Sequence, residues 1–229
     1  AKAGFTMIRW DAPWKAVEPV PGVLKVPSNW DYIVDSANRK GIASLLILDY
    51  GNAAYDGADK PRSSQAIAGF ARYAKIMVQH FEGRVAYYEL WNEWDGTTGG
   101  TTPGTPESYI AFIRAVYPAI KKVSRTATVL VGGTTNGSYE SIIGFTDRYG
   151  PERAGFFESL LHLGLLNYAD AISIHPVVIG MKGWAQTGVG AYHYVSAIVN
   201  KIRKANGGRS IPVFITEIGW PIREWKEIS

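Results

Sequence analysis

The chain contains no cysteine. That excludes a disulfide framework, cysteine-ligated metal sites and thiol catalysis. Charge is sparse and balanced: 24 Lys+Arg against 20 Asp+Glu give a formal net charge of +4, and 19% of residues are charged. No run of five like charges occurs, so neither a basic arm for nucleic acid nor a membrane-surface patch is expected. No apolar stretch approaches the ~20 residues of a membrane span, so no membrane insertion is expected. Low-complexity tracts, linkers and repeats of sequence are lacking too. The opening AKAGFTMIRW has neither an initiating Met nor a signal-peptide pattern and is expected to lie inside a domain.

What the chain does have is apolar content and aromatic rings. With 229 residues and 46% apolar composition, it is long enough to bury a core without staples, and residues 1–229 are expected to form one domain. Aromatics make up 13%, with 8 Trp and 13 Tyr. Such rings either line clefts for flat apolar ligands, sugar faces included, or fill the core.

Short β-branched, apolar runs alternate with longer stretches of helical period. The runs are Phe5–Trp10, Ser44–Asp49, Val85–Trp91, Thr128–Gly132, Ala171–His175 and Pro212–Glu217. Between them, Trp30, Ile33, Val34 and Ala37 mark one helix face, and Ile67, Phe70, Ala74, Val78 and Phe81 a second, with Ser63 as N-cap. Tyr109, Phe112, Ile113, Val116 and Ile120 mark a third, opened by Thr105-Pro106 and bent at Pro118. Phe157, Leu160 and Leu161 mark a fourth, and Tyr194, Val195, Ile198 and Ile202 a fifth, closed by Asn206-Gly207-Gly208.

Such alternation means a parallel sheet covered by helices, either an open doubly wound sheet or a closed barrel. An open dinucleotide-binding sheet carries a glycine-rich turn after its first strand, where this chain reads Asp11-Ala12-Pro13-Trp14. Every strand ends in polar or aromatic residues, as a barrel with its site on that face requires. The expected fold is therefore an α/β (β/α)8 TIM barrel, but an incomplete one: six of eight βα units are present.

Two carboxylates carry the chemistry. Glu93 follows a strand in Glu89-Leu90-Trp91-Asn92-Glu93-Trp94-Asp95, and Glu217 ends Val213-Phe214-Ile215-Thr216-Glu217. Partial burial should raise the pKa of each unless a cation or hydrogen bond compensates. Glycosidic bond cleavage needs two such carboxyls, one to protonate the leaving oxygen and one to attack the sugar or activate water. The bland alternative is a pair of strand-end glutamates in salt bridges.

These residues resemble clan A of the glycoside hydrolases, on Trp91-Asn92-Glu93 and Ile215-Thr216-Glu217-Ile218-Gly219-Trp220. Three further stretches are similar: Arg9-Trp10-Asp11 through Trp14-Lys15-Ala16-Val17-Glu18-Pro19, Leu46–Asn52, and Ile172-Ser173-Ile174-His175-Pro176. The likeness is greatest to family 39 and related exopolysaccharide-acting endoglycosidases, with families 5 and 17 as neighbours. It implies a retaining β-glycoside hydrolase cleaving a polysaccharide or oligosaccharide, preferably within the chain, without cofactor. Glu93 would be the acid/base and Glu217 the nucleophile. Asn92 would hold the sugar 2-hydroxyl, Arg9 would hydrogen-bond the nucleophile, and His175 would contact sugar or orient a carboxylate. Trp14, Tyr50, Trp94 and Trp220 would stack on or line subsites, with Asn52 among the binding residues. Asp11 either shapes the cleft or caps its loop. Trp10 joins Trp14, Trp94 and Trp220 in suggesting an open cleft for a long glycan. The rival is a degenerate barrel fragment that binds a glycan without cleaving it. The expected place of action is extracellular or periplasmic.

The chain departs from the pattern in three places. Val177 stands where many relatives have Tyr after His-Pro, Trp94 stands where many have Pro after Asn-Glu, and the match runs only from the strand 2 equivalent to the strand 7 equivalent. An incomplete barrel exposes two strand edges, so the chain is expected either to self-associate through them or to be a truncated piece of a longer product. His80, His162 and His193 are expected at surface or interhelix positions, and no histidine pair has zinc-helix spacing, so no metal site is expected. Gly96, Gly99, Gly100 and Gly104 read as a flexible loop that lacks the ending of a phosphate loop, and Asn136-Gly137-Ser138 as a weak glycosylation sequon.

Overall fold

The computed structural model describes residues 3–139, 142, 155–177 and 188–219. Six strands form one sheet in sequence order: β1 (Met7–Pro13), β2 (Ala43–Asp49), β3 (Tyr87–Leu90), β4 (Thr128–Val131), β5 (Ala171–Ile174) and β6 (Val213–Ile215). Every neighbouring pair is parallel. This is the curved portion of a (β/α)8 barrel, with β1 and β6 at its edges. β1 runs on through Asp11-Ala12-Pro13, three residues past the expected end, and Phe5 stays outside it, 69% exposed. Proline is tolerated at that last position because, among the described residues, β1 has a partner on one side only.

Helices cross from each strand to the next. α1 (Trp14–Val17) and α2 (Ser28–Asn38) follow β1, α3 (Ser64–His80) follows β2, and α4 (Pro106–Val123) follows β3. α5 (Phe156–His162) precedes β5, and α6 (Gly188–Ala205) precedes β6. Local chemistry starts them where expected: the Ser63 hydroxyl accepts from Ala66 N, and Thr105 and Ser108 form a capping box with Pro106 in the first turn of α4. α4 continues through Pro118 to Val123. None of the helices formed by described residues is long and apolar enough to cross a membrane.

Two apolar layers divide the alternating side chains of the strands. The larger lies between sheet and helices, with Leu46, Leu48, Phe70, Tyr88 and Phe112 fully buried. The smaller fills the barrel interior with Leu45, Ile47, Leu130 and Ala171, flanked by Met7, Tyr87 and Phe214. By strand parity the inner face therefore also carries Arg9, Asp11, Asp49 and Glu89. Those polar residues sit one or two steps above the apolar plug, towards the C-terminal ends of the strands. The fold thus turns one end of its interior polar.

Candidate active site

The centre is built on Arg9. Its Nε donates to Glu89 Oε2 at 2.7 Å, its Nη1 to Glu217 Oε1 at 2.7 Å and its Nη2 to Asn92 Oδ1 at 2.8 Å. One planar guanidinium thereby ties the ends of β1, β3 and β6 together. Burial works against its charge, and Glu89 and Glu217 more than offset this, raising its pKa above the ordinary arginine value. Glu89 is fully buried; burial pushes its carboxyl up, but His175 and Arg9 outweigh it and hold the group below its usual range.

A backbone kink delivers Glu93. Trp91 and Glu93 have φ of +69° and +51°, left-handed values that side chains rarely adopt. Such residues cost of order 1–3 kcal/mol each and persist where their surroundings over-determine them. Here Trp91 N donates to Leu48 O at 3.0 Å and Glu93 N to Gly133 O at 2.7 Å. The kink breaks the strand's alternation. Trp91 leaves the inner face and packs against Trp94 at 5.1 Å between ring centroids, while Asn92 and Glu93 turn to the centre.

His175, just past β5, links the two sides. Its Nδ1 lies 3.3 Å from Glu93 Oε1 and 4.0 Å from Glu217 Oε2, and its Nε2 lies 3.0 Å from Thr216 Oγ1. The Thr216 hydroxyl donates to Glu89 Oε1 at 3.0 Å, which leaves its oxygen as an acceptor for Nε2–H. Glu93 accepts at the other nitrogen, so both ring nitrogens carry protons. Burial disfavours this imidazolium, but Glu89 and Glu93 raise its pKa to about 9. In return, the hydrogen bond from His175 outweighs burial and holds the Glu93 carboxyl below the usual range. Glu93 is thus the compensated case that the sequence expectation provided for: the His175 hydrogen bond outweighs burial. Gly133 makes room for the cluster: a Cβ there would stand 2.6 Å from Glu89 Oε1 and 3.2 Å from His175 Nε2.

One ligand atom each from Glu93, His175 and Glu217 falls within a common 4.8 Å. A cation could be framed by that spacing if His175 gave up one of its ring protons. The spacing also brings a carboxylate oxygen of Glu93 within 4.8 Å of one of Glu217.

The remaining expected residues divide. Tyr50 sits at the rim, and burial, then Asp49 and Asp11, push its pKa to about 12. A cleft of about 650 Å³ opens beyond it, lined by Lys15, Pro19, Tyr50, Asn52, Ala58 and Gly99. Asp11 is exposed on the inner face at the end of β1. Trp14 and Trp94 need correction: both are buried and offer no face to a sugar. α1 turns Trp14 inward, where it stacks on Tyr55 at 4.6 Å and donates to Glu18 at 2.6 Å. Trp94 stacks on Phe112 at 4.9 Å and donates to Ser108 at 2.9 Å. Trp10 packs edge-on against Trp30. Asn52 has both side-chain polar atoms engaged within its turn, donating to Glu18 O and accepting from Ala54 N. Trp220 lies outside the described residues.

Sequence reasoning passed over Glu89, Thr216, Asp49 and Lys60. A charged residue inside the otherwise apolar Val85–Trp91 run was the available signal for Glu89. The loop after Glu93 is pinned: the fully buried Lys60 ammonium donates to Gly96 O at 2.9 Å and Thr102 O at 3.1 Å. Asp95 beneath it accepts from Thr135 N and the Ser138 hydroxyl. Gly99 and Gly104 are needed there for close approach to the Tyr50 and Trp94 rings. His80 bridges to Asp31 of α2, and His162 and His193 are exposed.

A parallel half-barrel with paired carboxylates, Arg9 and His175 at its C-terminal face has the architecture of the clan A glycoside hydrolases. The chain belongs to glycosyl hydrolase family 5: residues 1–191 match that family's cellulase model, a span that includes Glu93 and His175 and stops short of Glu217. No curated protein matches the sequence. Among solved structures it is similar to a family 39 glycoside hydrolase from the gut symbiont Bacteroides cellulosilyticus WH2, with 27% identity over 95% of this chain and 44% of that one and a TM-score of 0.71. An exo-β-1,4-mannosidase from Opitutaceae bacterium strain TAV5 shares the fold at 19% identity, 98% and 41% coverage and a TM-score of 0.61. So does a monomeric β-xylosidase from Caulobacter crescentus CB15, at 17% identity, 96% and 47% coverage and a TM-score of 0.64. The chain spans less than half the length of each.

Proposed function

We propose that the chain is the catalytic portion of a retaining β-glycoside hydrolase acting on a polysaccharide or oligosaccharide. The observation that carries this is the approach of Glu93 and Glu217, whose nearest carboxylate oxygens fall within 4.8 Å. Retaining enzymes hold their carboxyls roughly 5–5.5 Å apart, whereas inversion needs about 6.5–9.5 Å for an intervening water. In the first step Glu217 attacks the anomeric carbon, the carbon–oxygen bond breaks, and the leaving oxygen takes a proton from Glu93. Because Glu93 is held ionised at rest, that proton is supplied by His175 Nδ1 through the 3.3 Å contact. In the second step Glu93 takes a proton from water, which attacks the anomeric carbon and releases Glu217, and Glu93 passes that proton back to His175 Nδ1. Asn92 meets the sugar 2-hydroxyl, and Arg9 keeps Glu217 and Asn92 in register.

Cleavage within a glycan chain is favoured by the cleft that continues past Tyr50, which gives room for sugar units beyond the scissile one. A substrate of that size is met outside the cytoplasm, in extracellular or periplasmic space. Self-association through the β1 and β6 edges belongs to the same proposal, since each presents a ladder that no described strand pairs. The test is kinetic. Glu217→Ala should abolish turnover, and azide should restore some with inverted anomeric configuration. Glu93→Ala should still be glycosylated by aryl glycosides with good leaving groups, which need little acid help. Near-wild-type turnover by either variant overturns the assignment.

A further inference from the structure

Across the centre from His175, the inner face holds a second pair of carboxyls that no step above uses. Asp11 lies two residues before the end of β1, and Asp49 ends β2. The strands pair with Asp11 opposite Ile47 and Pro13 opposite Asp49, so the two aspartates are diagonal neighbours on the same inward face. Asp49 is fully buried, and neither of its oxygens receives a hydrogen bond from any protein donor. A buried carboxylate with no donor is among the costliest groups a protein can hold. Asp11 is exposed to solvent. Tyr50, next in sequence to Asp49, lies close enough for both aspartates to act on its hydroxyl.

Two carboxylates cannot hydrogen-bond each other, but an acid and a carboxylate can. We propose that Asp49 is a neutral acid donating its hydroxyl to Asp11, and that Asp11, fixed by this bond, accepts two neighbouring hydroxyls of an uncharged sugar ring. The pair is thereby a specificity device for neutral glycans with a free vicinal diol. Sugars carrying a carboxylate or sulfate at that position are rejected, because they would meet a negative wall. This rests on the glycosidase function proposed above.

The charges around Asp49 act in the expected directions. Burial pushes its pKa to about 9, Asp11 from β1 and Glu89 from β3 push the same way, and Arg9 opposes them. Tyr73 of α3 reaches the neighbouring Ala12 carbonyl with its hydroxyl and is itself neutral, its pKa raised by burial and then by Asp49. Tyr50 is likewise neutral.

Two measurements separate this pair from the glycosidase function. In the first, the chain is labelled with carboxyl-13C aspartate and titrated by NMR. One resonance should titrate near 9 and be absent from Asp49→Asn. If every aspartate titrates in the ordinary range, the pair is overturned whether or not any glycoside is cleaved. In the second, 4-nitrophenyl β-glucoside, β-xyloside and β-mannoside are compared with their monodeoxy analogues. Asp11→Asn should lose roughly 10- to 100-fold in kcat/KM on the parent sugars, the worth of a hydrogen bond to a charged group. It should lose little on the analogue lacking the bound hydroxyl. Asp49→Asn, which can still donate from its amide, should lose less than Asp49→Ala. Equal losses on parent and deoxy sugars, or no difference between the two Asp49 variants, overturn the hydroxyl-binding role.

Discussion

Replacing Arg9 with Met keeps the apolar stem and removes the guanidinium. The consequences divide according to the burial of its partners. Glu89 has a side chain that is 0% exposed, so its lost partner leaves a charge deep in the interior. Removing one member of such a buried pair costs about 3–5 kcal/mol. The Glu217 side chain is 37% exposed, and a pair at that depth contributes about 0–1 kcal/mol. The loss in folding stability is therefore expected at about 3–5 kcal/mol, nearly all through Glu89. Glu89→Gln added to Arg9→Met should recover part of it, since the fully buried side chain at position 89 then carries no charge. The pH dependence has a definite sign. Glu89 is held below its ordinary pKa in the folded chain, so its contribution is present above about 4.5 and is lost as pH falls. Without Arg9 the carboxyl protonates more readily, and the deficit of the variant should shrink between pH 7 and pH 5. Urea unfolding followed by circular dichroism at both values reads this directly. A deficit below about 1 kcal/mol at pH 7, or one unchanged at pH 5, would refute the dominance of Glu89.

Four further outcomes are expected. His175→Ala should move the alkaline limb of the pH–rate profile from near 9 towards acid pH, because the proton store for Glu93 is gone; an unmoved limb contradicts the proton path. The same change should destabilise the fold more at pH 6 than at pH 10, since a raised histidine pKa stabilises below its unfolded value and loses that effect through about 9. Gly133→Ala should displace Glu89 or His175, cutting kcat by at least ~10-fold while the melting temperature falls little, and a neutral effect on kcat would show that the cluster tolerates the 2.6 Å intrusion. Trp94→Phe should cost about 1–3 kcal/mol in a urea melt, through the lost Ser108 hydrogen bond and ring packing, yet leave KM unchanged; a raised KM would return Trp94 to the subsites.

The sheet order and its covering helices were legible because strand and helix periods alternate without interruption, and the Ser63 and Thr105-Pro106 signals mark helix starts by local chemistry alone. The same alternation, with polar strand ends, was enough to expect a barrel and its functional face. α1 was not legible: four residues are too few to show a helical period, and so Trp14 was expected at a rim when it is turned into the core. Trp91 and Trp94 follow from the left-handed backbone at Trp91 and Glu93, a conformation that no residue preference announces. Glu89 could have been found by parity, since it shares the inner face with Arg9. The glycines of the loop after Glu93 suggested flexibility; side chains packing close against their missing Cβ positions are a tertiary fact.

The central claim is that Glu217 forms a covalent bond to sugar. It is tested most directly by incubating the chain with an activated 2-deoxy-2-fluoro β-glycoside, which slows release of the intermediate, and mapping the adduct by mass spectrometry. One fluorosugar per chain on Glu217, absent from Glu217→Ala and retained in Glu93→Ala, is the expected result. Turnover of the parent glycoside with the label on another residue, or with no covalent adduct and an inverted product, would contradict it.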